Sequence, residues 1–238
     1  IKGVKAANPN MACTAKHFPG DGVEELDQHL VMGVNNLSVD EWEESFGKVY
    51  RTLIDEGLET IMVGHIALPE MSRKLVPGIE DKDIKPATLS KELLTDLLRE
   101  DMNFNGLVIT DASHMVGMSA TSKRCDAVPG AIIAGCDMFL FANDIAEDMA
   151  YVRKAYEDGL LTEERLEEAV RRILGMKAHL NLTDESVIIP DKKELDNIGC
   201  EAHRECAKKA ADECITLVKD TYKNLPVNPD EKKRVFLV

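Results

Sequence analysis

Four short segments built for buried strands constrain this chain more than anything else in it: "MACTAKHF" (11–18), "TIMVGHIAL" (60–68), "GLVITD" (106–111) and "CDMFLFAN" (136–143). Most are continuous apolar runs rather than alternating ones. That pattern suits strands covered on both faces, as in a parallel sheet. Helical segments separate them. Ser38 and Glu41 have the spacing of a capping box. Val39, Trp42, Phe46, Val49, Leu53 and Ile54 then recur at helical spacing, and Gly57 marks the end. Residues 90–101 repeat the design, with Ser90 as the cap and Leu93, Leu94, Leu97 and Leu98 as the apolar face. The pattern predicts two more helices, over 145–158 and 163–178, the second capped by Thr162.

Strand and helix in alternation predict an α/β fold with right-handed crossovers. Four such units make half of an eight-stranded barrel, and half a barrel leaves a strand edge and apolar surface open. The expectation is that the chain begins mid-domain, with the other half of the barrel upstream or on another chain. The character changes after residue 182. Residues 183–234 read as a linker with a helix at about 200–216, its Cys206, Ala207, Ala210, Ala211 and Cys214 inward. Residues 235–238 read as the first strand of a further α/β domain.

Composition excludes several classes. The net charge of −14 repels a phosphate backbone, and each basic cluster stands beside acids, so nucleic acid is not an expected partner. No run reaches the roughly 18 apolar residues of a membrane helix. Six cysteines form no CxxC pair and read as free thiols of a reducing compartment. A cytoplasmic location is expected on that basis, with secretion as the alternative.

In parallel α/β folds, reactive groups gather where strands end. The first segment ends in Lys16 and His17. The second carries His65. The third ends in Asp111, with Ser113 and His114 after it. Three buried strands that each finish in a titratable residue point to a site on one rim. Asp111 is anchored by the sheet and could attack an electrophilic carbon; it could equally cap the turn that "DASH" opens. Asp27, two residues before His29, could orient that imidazole for proton transfer. Gly20 and Gly22 let the intervening loop fold tightly or move over a substrate.

The stretch "KHFPGDGVEELDQH" (16–29) resembles the motif K-H-F-P-G-x-G-x4-D-x-H of family 3 glycoside hydrolases, in their β-N-acetylglucosaminidase branch. "FNGLVITDASHMVGM" is similar to that family's nucleophile segment. "AIIAGCDMFLF" resembles its last barrel strand, and "EDGLLTEERLEEAVRRILGMKAHLNL" its closing helix. "AKKAADECITLVKDTYKNLPV" resembles the entry to its second domain, so the likeness runs in order over nearly the whole chain.

The resemblance implies a TIM-like (β/α)8 barrel, here its C-terminal half, followed by the start of an α/β sandwich domain. It implies Asp111 as nucleophile, His29 as general acid/base held by Asp27, and Lys16 and His17 on sugar hydroxyls, with His65 and His114 as further substrate-binding candidates. No cofactor is implied, and the expected partner is a carbohydrate. Two positions depart from the family pattern: Asp21 replaces a usual His or Leu, and Gln28 a usual Ser or Thr. The charge of Asp21 is expected to act on the leaving group or on His29.

The implied reaction is retaining removal of terminal β-linked N-acetylglucosamine through a glycosyl-aspartate. A deprotonated imidazole carries no negative charge and tolerates an incoming phosphate, so phosphorolysis is the near alternative, and β-glucoside cleavage another. Two more distant readings are a metal-dependent hydrolase, with His17, His65, Asp111 and His114 around the ion, and a non-catalytic sugar-binding module.

Overall fold

A computed structural model describes residues 1–185, 191–223, 225–228, 230, 231 and 234. The chain divides into two compact units, Ile1–Asp184 and Glu185–Val238.

The first unit is built on four parallel strands, β1 (Thr14–Phe18), β3 (Thr60–Val63), β5 (Leu107–Ala112) and β6 (Met138–Leu140), in the order β1-β3-β5-β6. β1, β3 and β6 fall inside the apolar segments expected to form them, and β5 runs one residue past its segment, to Ala112. The central pair is in register from Thr60 opposite Leu107 to Val63 opposite Thr110. Burial on both faces holds for Ile61, Val63 and Val108 on these inner strands. It fails at the sheet's edges: Thr14 and Lys16 in β1 and Met138 in β6 are exposed, because no further strand pairs with either edge among the described residues.

Two shorter parallel strands, β2 (Gly33–Val34) and β4 (Ile66–Ala67), lie beyond β1 and β3 in the chain. Their pairing, with Gly33 N–H on the His65 carbonyl and Asn35 N–H on that of Ala67, ties the loop leaving β1 to the segment leaving β3.

The helix after Ser38 begins with the expected reciprocal cap between Ser38 and Glu41. It runs through Val39–Trp42, widens to π-type turns over Glu43–Gly47 and continues as Lys48–Asp55. Trp42 and Tyr50 face inward and meet Phe18 edge-on, at ring centroid distances of 6.4 and 5.2 Å. Trp42 Nε1–H donates to the Pro19 carbonyl at 2.8 Å, which pins the turn after β1 to this helix. The fit there demands glycine at position 20: its φ is +142°, and a Cβ would stand 2.5 Å from the Phe46 ring.

Helix Glu92–Asp101 buries Leu93, Leu94, Leu97 and Leu98, and Ser90 Oγ accepts the Leu93 N–H at its start. The helices Ile145–Glu157 and Glu163–His179 carry side-chain caps from Asp144 and Thr162. Helix Arg124–Ala134 has no counterpart in the periodicity, because Pro129 and Gly130 read as breakers. Burial of Ala127, Val128, Ala131, Ile132 and Ala134 outweighs the missing proline N–H.

In the second unit, a 3-10 segment (Lys192–Asn197) precedes helix Glu201–Cys214. This helix lies where one was expected, but none of its residues is buried. The inward stripe assigned to Cys206, Ala207, Ala210, Ala211 and Cys214 is thus corrected: alanines and cysteines present too little apolar area to force burial of that face. The strand expected at 235–238 lies outside the described residues. All six cysteines are free thiols. No described helix is long and apolar enough to cross a membrane.

Candidate active site

Strand β1 delivers His17 and strand β5 delivers Asp111 to the same rim. His17 Nε2 lies 3.3 Å from Asp111 Oδ2. The other carboxylate oxygen, Oδ1, accepts the N–H of Ala112 at 2.7 Å. The sheet holds the Asp111 backbone and the next amide holds its side chain, so little orientational freedom remains to be lost on reaction. The peptide bonds Lys16–His17 and Phe18–Pro19, which flank the end of β1, are both cis.

The Asp27–His29 pair forms as the spacing suggested. Asp27 Oδ1 accepts the backbone N–H of His29 at 2.9 Å and its ring Nδ1–H at 2.7 Å. These two bonds, the backbone one first, hold the Asp27 carboxyl below its ordinary range. Because the carboxylate only accepts, Nδ1 carries the hydrogen and Nε2 is the nitrogen free to exchange a proton.

The loop bearing this pair is docked onto the segment that follows Asp111. Val116 N–H donates to the His29 carbonyl and Gly117 N–H to that of Gln28, each at 3.2 Å.

The remaining candidates separate. Lys16 lines a cavity of about 410 Å³ together with His17, Asp21, Phe46 and Tyr50. His65 is fully buried with both ring nitrogens engaged, Nδ1 with Thr88 Oγ1 at 2.9 Å and Nε2 with the Ala112 carbonyl at 3.0 Å. As placed, it offers no ring nitrogen to a substrate. Burial also lowers its pKa, favouring the neutral ring. His114 turns away, packs against the Phe141 ring at 6.0 Å and lines a different cavity of about 300 Å³ with Ser113, Lys123 and Arg124. The arrangement of His17, His65, Asp111 and His114 around one ion is therefore not formed, and no three His, Cys, Asp or Glu side chains are grouped as ligands among the described residues.

Two residues that sequence reasoning flagged only as departures from a pattern turn out to be joined. Gln28 Nε2–H donates to Asp21 Oδ2 at 3.3 Å, and that same oxygen accepts from His17 Nδ1 at 3.1 Å. Asp21 makes its contact with His17 rather than with His29. Thr88, which braces His65 from the loop before helix Glu92–Asp101, gave no signal in the sequence, since nothing local marks a threonine as a partner for a distant histidine.

Residues 1–176 match the model of the glycosyl hydrolase family 3 N terminal domain. A β-N-acetylglucosaminidase/β-glucosidase of Cellulomonas fimi is 47% identical over 227 residues, which are 95% of this chain and 40% of that protein. A solved β-glucoside phosphorylase, BglX, superposes with a TM-score of 0.83 at 46% identity, covering 92% of this chain and 40% of its own. A solved family 3 β-N-acetylglucosaminidase from Paenibacillus sp. str. FPU-7 has a TM-score of 0.68 at 27% identity, covering 77% of this chain and 34% of its own. The chain thus spans well under half the length of each of these three relatives. By the extent of the family match and by these likenesses, it belongs to glycosyl hydrolase family 3.

Proposed function

We propose that this chain carries the reacting groups of a retaining β-glycosidase that removes terminal β-linked N-acetylglucosamine. The observation that carries the reading is the docking of the Asp27–His29 pair onto the segment directly after Asp111. In the first step an Asp111 oxygen attacks the anomeric carbon, the bond to the leaving oxygen breaks, and His29 Nε2–H protonates that oxygen. In the second, His29 takes a proton from water as the water displaces Asp111, and the sugar leaves with its configuration retained. Asp27 holds the ring through both steps and steadies its charge. On this reading the four-stranded sheet is the C-terminal half of a barrel wall, the open edges of β1 and β6 suit further strands of that wall, and the chain from residue 183 leads into a second α/β domain.

Phosphorolysis is the second reading. It is supported by the likeness to the β-glucoside phosphorylase and by the acid/base being an imidazole, which when neutral does not repel an incoming phosphate as a carboxylate would. β-Glucosides remain alternative substrates of either reaction.

One experiment tests the nucleophile and the acceptor together. The full-length protein is incubated with a fluorinated, slow-turnover aminosugar, and the labelled peptide is mapped. Label is expected on Asp111 within "VITDASH". Release of the label as free sugar in water, or as sugar phosphate when phosphate is added, then separates the two readings. Turnover of an aryl N-acetylglucosaminide with no label at Asp111 would overturn the proposal.

A further inference from the structure

We infer that Asp21 and Gln28 are positioning residues that lock the ring of His17 with Nε2 toward Asp111 and link that ring to the loop carrying His29. The inference rests on the reading of Asp111 and His29 as the reacting groups, and its first test does not depend on turnover.

Every link in this chain has a fixed polarity. The His65 backbone N–H donates to Gln28 Oε1 at 3.0 Å. A backbone N–H can only donate, so the Gln28 amide must place its oxygen there and its Nε2 at the other end. Nε2 donates to Asp21 Oδ2 at 3.3 Å. That carboxylate can only accept, so the His17 nitrogen facing it at 3.1 Å is Nδ1–H. Nε2 of His17 is thereby the nitrogen presented to Asp111 Oδ2 at 3.3 Å. A flipped Gln28 amide, or a His17 ring without hydrogen on Nδ1, loses a bond in this chain, whereas hydrogen on Nε2 is set by the Asp111 carboxylate it faces and not by Asp21.

Burial explains why the chain is geometric rather than merely polar. Gln28 is 5% exposed, and its own carbonyl receives Gly117 N–H. It sits between Asp27 and His29, so its backbone belongs to the acid/base loop while its side chain reaches the nucleophile side of the rim. A shift of the loop therefore pulls on Asp21 and through it on His17. The Asp21 carboxylate is 43% exposed, so its contact with His17 is screened by solvent and contributes little to stability. Its consequence is the direction of a ring. Lys16 shares the cavity with Asp21, and an ammonium offers no acceptor for His17 Nδ1–H.

The test uses full-length protein with 15N-labelled histidine. Long-range 1H–15N spectra are recorded for the wild type, Asp21→Ala, Asp21→Asn and Gln28→Glu, and kcat and KM are measured on an aryl N-acetylglucosaminide. Gln28→Glu keeps the acceptor for His65 N–H but sets a second carboxylate against Asp21.

The wild type is expected to show His17 protonated at Nδ1. Asp21→Ala should lose that preference and lower kcat about tenfold or more, with KM within about threefold. Asp21→Asn, whose amide oxygen can still accept, should recover part of both. Gln28→Glu should act in the same direction as Asp21→Ala and less than additively with it. A His17 spectrum unchanged in Asp21→Ala, or a loss confined to KM, overturns the inference. If the wild type turns over neither N-acetylglucosaminides nor glucosides, the functional reading fails on its own, and the spectra still decide whether Asp21 sets the His17 tautomer.

Discussion

The buried ring of His65 donates Nε2–H to the carbonyl of Ala112, the residue next to Asp111. The backbone pairing of β3 with β5 ends two residues earlier, at Val63 opposite Thr110. A side chain thus continues the ladder to the end of the strand that bears the carboxylate. A carbonyl only accepts, so Nε2 carries a hydrogen, and Thr88 Oγ1, which also reaches the Gly64 carbonyl at 3.0 Å, has one hydrogen for that carbonyl and a neutral His65 Nδ1.

This arrangement predicts a pH signature. Burial depresses the folded-state pKa of His65 below its ordinary 6.5. Below 6.5 the unfolded chain therefore binds a proton that the folded one resists, and stability falls as pH drops toward the folded value. The His65 contribution is fully present above 6.5 and lost below it. Urea midpoints of the wild type should fall between pH 7.5 and pH 5.5 by more than those of His65→Gln. At pH 7.5 that variant should be less stable by about 1–3 kcal/mol, from two buried hydrogen bonds that it cannot remake. Equal pH slopes in the two proteins would remove His65 as the cause.

The exposed Asp27–His29 pair yields a prediction of rate rather than stability. His29→Gln should lower kcat about 10²–10⁴-fold on substrates with poor leaving groups, where the proton is needed, and far less on good ones. Asp27→Asn should follow the same leaving-group pattern at smaller size, since the ring remains but is no longer held. Asp27 has a lowered carboxyl pKa, so its grip on the ring persists through the ordinary 3.8 and is lost only as pH falls further, through the lowered value. Histidine ring spectra at pH 8.5, above the ordinary imidazole range, should show the His29 Nδ1–H tautomer in the wild type and no such preference in Asp27→Ala.

Much of this site could be read from residues close in sequence, and what could not shares one physical cause. The strand segments, the Ser38 cap and the Asp27–His29 pair are local, so spacing alone carries them. Helix Arg124–Ala134 is not, because its proline is tolerated only where neighbours bury the rest of its surface. The role of His65 was hidden for the same reason. A histidine closing an apolar strand gives the same pattern whether it faces a substrate or, as here, is enclosed between Thr88 and Ala112. Asp21 stood out as an odd residue, but only the fold brings Gln28 and His17 to the same oxygen.

Gly117 tests how closely the acid/base loop must sit. A Cβ there would stand 2.9 Å from the Gln28 carbonyl oxygen, 2.9 Å from His65 Cβ and 3.1 Å from the Val31 carbonyl oxygen. The backbone of the loop cannot remain in place beside such an atom. Gly117→Ala should push the loop outward by a few tenths of an ångström, and Gly117→Val by more. A displacement of about 1 Å costs on the order of 10²-fold in rate, so a several-fold fall in kcat is expected for alanine and a larger one for valine. The melting temperature should fall as well, since the atoms met are backbone oxygens and the Cβ of buried His65 rather than a flexible side-chain end. An alanine variant with wild-type kcat would mean that the loop has slack the packing does not suggest.

At the other end of β5, Asp137 supplies a contrasting case. Its side chain is fully buried, with Arg99 and Arg165 each at 2.6 Å and Arg172 at 3.3 Å. It also accepts the Val108 N–H at 2.9 Å. Burial pulls the Arg99 guanidinium below its ordinary pKa, and the carboxylate is the main group opposing that pull. Removing the carboxylate leaves the buried Arg99 guanidinium without its ion-pair partner, while Arg165 and Arg172 keep only the half-exposed Glu168, at 2.8 and 3.7 Å. Asp137→Ala should therefore destabilise the fold by about 3–5 kcal/mol, whereas Arg172→Gln, which removes the longest of the three contacts, should cost less than Arg99→Gln. Val108 is the second residue of β5 and Asp111 lies three residues on, so this cluster is about 10 Å along the strand from the carboxylate proposed to react. The Arg172→Gln protein should consequently keep its kcat at a temperature where it remains folded, while its urea midpoint falls. Loss of kcat without loss of stability in that variant would show that the arginine cluster reaches the rim through the strand, against the separation argued here.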